Sequence, residues 1–484
     1  MFKISKDSVK VNMIMNSLLT MSSFIFPFIT FPYVSRILLP LGTGKVNFAT
    51  SVVNYFAMFA QLGIPTYGIR ACAKVRDNKE KLSRTVHELL FINLFMCVLV
   101  YITFFVVLFN VPRLEQDKTL YLVIAISIIL NALGVEWLYK ALEKYSYITI
   151  RSLVFKVIAL VAMFLLVKNQ EDYVFYGGIT IFASSASNIL NFWNLRKYVI
   201  LKPLGNYNFR QHIKMVITFF SMSIATTIYT NLDSVMLGFM KGDVDVGYYG
   251  AAVKIKGILV SLVTSASAVL LPRASFYVDR KMMDEFYHLL KKTMHFVCLL
   301  ACPLTIYFII FAREGIFFLS GEAYAGSILP MQIIMPTLIF IGMTNIIGIQ
   351  MLVPLGLEKQ VLYSEIAGAI VDLILNAILI PKFASSGAAI GTLVAEIVVL
   401  IWQLGVIRNR KVNLYSEIKA YKVIIALVIA TAASIWVKGL FSSYFVVLVI
   451  SAVCFFASYG LILLILKEQL VKEFMNMILS KVKR

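Results

Sequence analysis

Asp372 stands in "SEIAGAIVDLILNAILIP", where Glu365 is the only other charge, and Glu396 follows in the apolar run "GAAIGTLVAEIVVLIWQL". Glu365, Gly368, Asp372 and Asn376 recur at i, i+3, i+7 and i+11, so they form one polar stripe on a helix. Glu396 has Thr392 one turn before it and Gln403 two turns after. A carboxylate at the centre of a bilayer costs about 2.5–3.5 kcal/mol even on generous scales, so it must earn its place by chemistry or by pairing. Two chemistries fit: a cation or proton site, or protonated carboxyls that hydrogen-bond one helix to another.

Basic groups lie in similar surroundings. Lys156, Lys254 and Lys256 fall inside apolar runs. Asp233 and Lys254 are expected in the outer halves of neighbouring antiparallel helices, where they can form an ion pair. Lys256 is about 200° around the helix from Lys254, so the two cannot face one cavity equally. Lys156 enters its span near one end, where snorkelling explains it as readily as cavity lining does. Ser184, Asn188 and Asn191 share a face, as partners for hydroxyls or as contacts between helices. Arg36 and Lys45 flank a hairpin whose first helix is bent by Pro27 and Pro32, each of which removes a backbone donor. A bent helix ending in a cation suits a gate around something anionic, and snorkelling to headgroups suits it too.

These charges matter because of the elements that carry them. The 484-residue chain is 60% apolar and only 14% charged, against roughly 25% charged in a soluble protein. Runs of ~20 apolar residues, enough to span a bilayer core of ~30 Å, recur from end to end. About fourteen spans are expected: 13–34, 46–64, 87–110, 119–139, 149–168, 174–195, 215–237, 247–271, 293–312, 327–354, 362–381, 387–406, 423–438 and 444–466. Helices are the expected form, because in lipid each segment must satisfy its own backbone hydrogen bonds.

The net charge of +20 reports topology rather than nucleic-acid binding. Counting Arg151, Lys168 and Lys438, at the ends of their spans, with the adjoining loops, 33 of the 45 lysines and arginines fall in the N-terminus, the even-numbered loops and the C-terminal tail; 9 fall in the odd-numbered loops and 3 within spans. By the positive-inside rule both termini are expected on the cytoplasmic side. The basic segments 74–90 and 467–484 read as amphipathic helices lying on anionic lipid.

Shifted by 214 residues, 151–197 aligns without gaps on 365–411, setting Lys168 on Lys382 and Arg196–Lys197 on Arg410–Lys411. "GKVNFA" (44–49) likewise sits opposite "GYYGAA" (247–252). The fold class expected is therefore an all-α polytopic membrane protein, with two six-helix lobes related by a pseudo-twofold axis along the membrane normal. The divisions are 1–206, 207–411, and 412–484 for two added helices and a tail. Transporters built from such repeats bind substrate between the halves.

Enzymatic constellations are missing from the sequence: there is no Walker A motif, no HExxH and no Gly-rich dinucleotide loop. The four histidines sit at or near span ends, and the five cysteines suggest neither a disulfide framework nor a zinc site. No enzyme activity, cofactor or metal is expected.

"FPFITFPYVSRILLPLGTGKVNFATSVVNYF" and the following "LGIPTYGIRACAKVRDNKEKLS" strongly resemble the bacterial oligosaccharide flippases of the multidrug/oligosaccharidyl-lipid/polysaccharide exporter superfamily, Wzx-type O-antigen translocases in particular. "NLDSVMLGFM" with "VGYYGAAVKI", and "DLILNAILIPKF" with "GAAIGTLVAE", look like two further signatures of that family, so the resemblance runs the length of the chain. "GIPTYGIR" (63–70) is its most specific part. Asp372 departs from the pattern, which has asparagine there, and "FASSG" replaces a more Gly-rich turn.

The resemblance implies a V-shaped pair of six-helix bundles with the last two helices beside a lipid-tail groove. It implies alternating-access transport of undecaprenyl-diphosphate-linked oligosaccharide units to the outer leaflet of the bacterial inner membrane, coupled to an ion gradient. Partners would be the lipid-linked oligosaccharide and membrane lipids, with a polysaccharide polymerase and a chain-length regulator alongside, and no nucleic acid. Arg36, Lys156, Asn188, Asn191, Lys254 and Lys256 would face the diphosphate or sugars, and Asp372 and Glu396 would couple the ion. A drug or cation antiporter on the same fold and a membrane polysaccharide polymerase are the competing readings. The first would favour acidic over basic groups in its site; the second would carry a long outer loop, whereas the odd loops here are short. Neutralising Lys254 is predicted to abolish surface glycan while the protein still inserts, and unchanged glycan display would remove this lysine from the site.

Overall fold

The structure, a computed structural model, describes residues 9–268, 270–408, 414–473 and 475. It is 87% helical, with no strand among the described residues. The stretch 476–484 of the expected surface helix and Arg410–Lys411 of the internal repeat lie outside the described residues.

Among the described residues ten helices are long and apolar enough to cross a membrane, or eleven if the bent pair Glu322–Ile334 and Thr337–Leu352 is one span. The difference from about fourteen has visible causes. Val9–Gln61 reads as one helix but breaks at Leu39 (φ 56°, ψ −179°), the residue before Pro40, whose ring disfavours a helical conformation there. Glu358–Arg408 breaks in the same way at Ala384 (φ 49°, ψ −128°), inside the "FASSG" turn. The expected span 174–195 is two short helices, Tyr173–Ile181 and Asn188–Asn194, joined by the π-helical turn Phe182–Ala186.

The chain divides into two compact units, Met1–Gly247 and Tyr248–Arg484. The helix Arg210–Met240 lies within the first unit, where it packs along Val9–Gln61.

In the first unit, the "GIPTYGIR" segment builds one end of the core. Gly63 begins the turn with φ 70°, and its Cα lies so close to the Phe219–Phe220 backbone that no side chain would fit. Pro65 follows in the first turn of helix Ile64–Val75, where a missing N–H costs nothing. Gly68 faces the Trp137 ring, and Tyr67, Leu82, Val86, Leu89 and Leu138 pack around it. Within this apolar core a polar network is closed on itself. Tyr67 Oη meets His212 Nδ1 at 2.8 Å, and His212 Nε2 meets Glu88 Oε2 at 2.7 Å. Glu88 also accepts from the Asn208 backbone N–H (2.6 Å) and from Gln211 Nε2 (3.0 Å). Glu88 is 1% exposed and His212 4%, so neither has water to fall back on. The carboxylate thereby anchors the first turn of helix Arg210–Met240.

At the other end of these helices Lys45 bonds Asp117 (2.8 Å), which also accepts from Tyr173 Oη (2.8 Å), and Arg113 pairs with Asp243. Lys45 is thus held in the protein rather than left to snorkel.

In the second unit, helices Ala420–Ile435 and Tyr444–Ile465 pack on Met283–Ile310 through Tyr307, whose hydroxyl donates to the Leu448 carbonyl (2.8 Å). Phe455, Tyr459 and Leu463 line the inner face of the last helix, while Phe445, Val449, Val453, Leu461 and Ile465 project outward at helical spacing. Such an apolar stripe, with Ile465 70% exposed, belongs against lipid. The start of the tail is fixed by charge: Glu468, 2% exposed, lies 3.1 Å from His295 Nε2 and 3.4 Å from Lys422 Nζ. Further along, Lys292 bonds Glu473 at 2.6 Å and holds that carboxyl below its usual range.

Replacing Glu88 with alanine would leave His212 buried beside an orphaned helix start. The expected cost is about 3–5 kcal/mol, read as a lowered unfolding midpoint of the purified protein in detergent, whereas Arg84→Ala, which removes an exposed pair with Glu80, should leave the midpoint nearly unchanged.

Candidate functional site

A cavity of about 580 Å³ lies in the first unit, within the ~300–1,000 Å³ of small-molecule sites. Five segments build it: the second half of Val9–Gln61, the turn at Gly63–Pro65, the helix Lys118–Leu133, the π-helical turn Phe182–Ala186 and the middle of Arg210–Met240. Four carboxamides line it, Asn54, Gln61, Asn131 and Asn231. Hydroxyls complete the polar lining: Thr50, Ser127, Ser184, Ser185, Ser223 and Thr227. Ala57, Met58 and Ile181 supply apolar contact. Among the described residues that line it, none has an ionisable side chain.

Local structure explains how these groups reach one hollow. Thr50, Asn54 and Gln61 fall on one face of their helix at i, i+4 and i+11. Ser223, Thr227 and Asn231 recur every fourth residue on theirs, and Asn54 Nδ2 donates to Asn231 Oδ1 across the gap (3.1 Å). The wide turn at Phe182–Ala186 lets the adjacent Ser184 and Ser185 both face the cavity, which a regular turn at about 100° per residue would not favour. Behind them Asn188 Nδ2 donates to Asn131 Oδ1 (3.1 Å) and fixes which way that carboxamide points. The arrangement offers donors and acceptors in a largely polar but uncharged wall, which is the chemistry of hydroxyl and amide recognition.

Of the residues expected at a site, Asn188 reaches this cavity through Asn131. Asn191 is fully buried one turn on, with the Tyr139 hydroxyl donating to its backbone carbonyl. Lys156 lies away from the lining, its Nζ donating to Ser22 Oγ (2.7 Å) and Ser23 Oγ (3.1 Å). Arg36 is exposed, and its guanidinium bonds the carbonyl of Pro32 one turn back. Asp233 is buried in the first unit, and Lys254 and Lys256 are half-buried on helix Asp243–Ala268.

The acidic pair occupies a second polar seam, within the second unit. Asp372 and Asn376 are buried on the first arm of Glu358–Arg408, and Thr392, Glu396 and Gln403 on the second. Gly391 lets Asp372 and Asn376 come against the opposite arm, since a Cβ there would collide with both side chains. Thr392 Oγ1 meets Tyr249 Oη at 2.9 Å, and Gln403 donates to Ser364 (3.2 Å). Glu365, the first member of the expected stripe, is half-buried.

Sequence reasoning passed over most of the cavity lining. Isolated Asn, Ser, Thr and Gln residues in apolar runs look like ordinary contacts between helices. The signal available was the four-residue recurrence of Ser223, Thr227 and Asn231, matched by Thr50 and Asn54.

An all-helical, multi-span membrane fold with a neutral polar cavity inside one unit defines a transporter-type protein. The chain belongs to the polysaccharide biosynthesis protein family, which it matches over residues 9–278. It is 24% identical over 409 residues to the "Putative O-antigen transporter" of Escherichia coli (strain K12), covering 84% of this chain and 98% of that protein. A protein of the same description from Shigella dysenteriae is 25% identical over 408 residues, covering 83% of this chain and 100% of its own length. Among solved structures, the fold is similar to the lipid II flippase MurJ in an inward closed conformation, with a TM-score of 0.73 at 15% identity over 95% of this chain and 100% of MurJ. An inward-facing multidrug resistance MATE family transporter gives 0.60 at 14% identity, over 83% of this chain and 99% of the transporter.

Asn54→Leu removes one carboxamide and leaves Asn231 without its bond across the cavity. Each hydrogen bond lost to a ligand is worth about 1–1.5 kcal/mol, so binding of a soluble neutral oligosaccharide is predicted to weaken roughly tenfold by titration calorimetry.

Proposed function

We propose that this chain moves a lipid-linked oligosaccharide across the bacterial inner membrane, carrying the sugar headgroup while the lipid tail stays in hydrocarbon. The observation that supports it best is the hydroxyl- and carboxamide-lined cavity, whose walls lie almost wholly within spans expected to be in the bilayer. Family membership and relatives described as O-antigen transporters support the same reading.

The physics of the task matches the site. A sugar hydroxyl taken into hydrocarbon without partners costs ~4–8 kcal/mol, and an oligosaccharide carries several. A cavity that meets those hydroxyls with Asn, Ser and Thr groups removes most of that barrier without any change in covalent bonds. The work is transport rather than catalysis. The positive-inside asymmetry of the sequence supports a cytoplasmic location for both termini, and loading is proposed to take place on the cytoplasmic side. A polymerase and a chain-length regulator are the partners that would consume the product.

Asp372 and Glu396, buried on the two arms of one hairpin, are the groups proposed to couple transport to an ion gradient. A membrane potential supplies about 2.3 kcal/mol per charge per 100 mV, comparable with the cost of burying one such carboxylate. Arg36, Lys156, Lys254 and Lys256 are proposed to meet the diphosphate during passage, and Asp233 with Lys254 to form an ion pair.

Reconstitution tests this directly. Proteoliposomes holding the full chain should move a fluorescent polyprenyl-diphosphate oligosaccharide between leaflets well above the rate of empty vesicles. An imposed ion gradient should accelerate the movement, and Asp372→Asn should abolish that acceleration while leaving the gradient-free rate in place. Movement no faster than in empty vesicles would overturn the reading.

A further inference from the structure

The composition of the cavity wall says more than that sugars fit it. We infer that the cavity discriminates by charge, taking an uncharged hexose or N-acylhexosamine residue of the headgroup and rejecting a hexuronic acid or other ionised sugar. This rests on the flippase reading above and adds a substrate class to it.

Neutrality is a property of the whole lining. Carboxamides and hydroxyls enter from five different segments, and among the described residues not one Asp, Glu, Lys, Arg or His accompanies them. The nearest Asp, Glu, Lys, Arg or His along a lining helix is Asp233, two residues beyond Asn231 and so about 200° around the helix, where it is buried and is not a lining residue. The nearby cation Lys156 is engaged by Ser22 and Ser23 rather than by the cavity.

Hydroxyl and acetamido groups can be met in such a wall both as donors and as acceptors, because Asn and Gln carry both kinds of group and the Ser and Thr oxygens accept. A carboxylate finds donors but no opposite charge, and taking an ion out of water without a paired charge is strongly unfavourable. The fixed Asn pair sharpens the selection. Asn54 Nδ2 donates to Asn231 Oδ1, and Asn231 Nδ2 donates to the Thr227 carbonyl and to Thr230 Oγ1, so part of the donor capacity that could gather around an anion is already committed. Discrimination then comes from an affinity penalty against the wrong sugar as much as from contacts to the right one.

The test uses two fluorescent polyprenyl-diphosphate disaccharides, identical except that the terminal residue is a hexose in one and the matching hexuronate in the other. The methyl ester of the hexuronate serves as a third probe. In proteoliposomes of the full chain, the hexose lipid should cross, the hexuronate lipid should cross at least tenfold more slowly, and the methyl ester should recover most of the difference. Thr227→Lys, which places a cation in the wall, should narrow or reverse the ratio, and Thr227→Ser should preserve it. Equal rates for hexose and hexuronate, or a methyl ester as slow as the free acid, would overturn the inference and leave the flippase reading standing. If no probe crosses faster than in empty vesicles, the flippase reading fails and the inference fails with it.

Discussion

Hydrocarbon offers a polar group no partner, and nearly every feature of this protein follows from that constraint. Backbone groups satisfy themselves in helices from end to end. Side-chain polar groups then have two options: to be bonded tightly inside the protein, or to line a hollow where something polar will visit. Glu88, His212 and Tyr67 take the first course, each bonded to the next in a core of Leu, Val and Trp. Asn54, Asn131 and Asn231 take the second, and the difference between the two sets is the difference between architecture and transport.

The two kinds of polar cluster support each other physically. The network around Glu88 fastens the start of helix Arg210–Met240 to the "GIPTYGIR" segment, and roughly three to six turns along that helix Ser223, Thr227 and Asn231 reach the cavity. A helix free to rotate would present those groups in no fixed register. Pinning its first turn with a buried carboxylate gives the cavity a defined wall, at the expense of burying an ionisable group that must stay bonded.

How much of this was legible in the sequence depends on what each signal measures. Hydropathy reads lipid exposure, so the helical membrane fold was plain in advance. It could not register that Leu39 and Ala384 break two long helices or that Phe182–Ala186 winds as a π turn, because those depend on backbone angles rather than on polarity. Charge in an apolar run is conspicuous, and it drew the eye to Lys156 and Arg36. The structure engages these with Ser22, Ser23 and Pro32 outside the cavity wall. Neutral polar residues carry no such flag. Asn131 and Asn231 are far apart in sequence, and only the packing of their helices shows that they line one hollow. Asp372 and Asn376 were legible as a stripe, and they lie buried together against Gly391 because that stripe is the inner face of a hairpin.

The wide turn at Phe182–Ala186 gives the chain an unusual freedom in how it could change. Where a helix already carries one surplus residue in a single loop of its coil, losing or gaining a residue there need not break the span. It would instead turn Ser184, Ser185 and everything after them relative to the opposite wall. The cavity-facing surface could therefore be re-cut by a change in length as readily as by a change in letter, with the ends of the span still anchored in the same membrane.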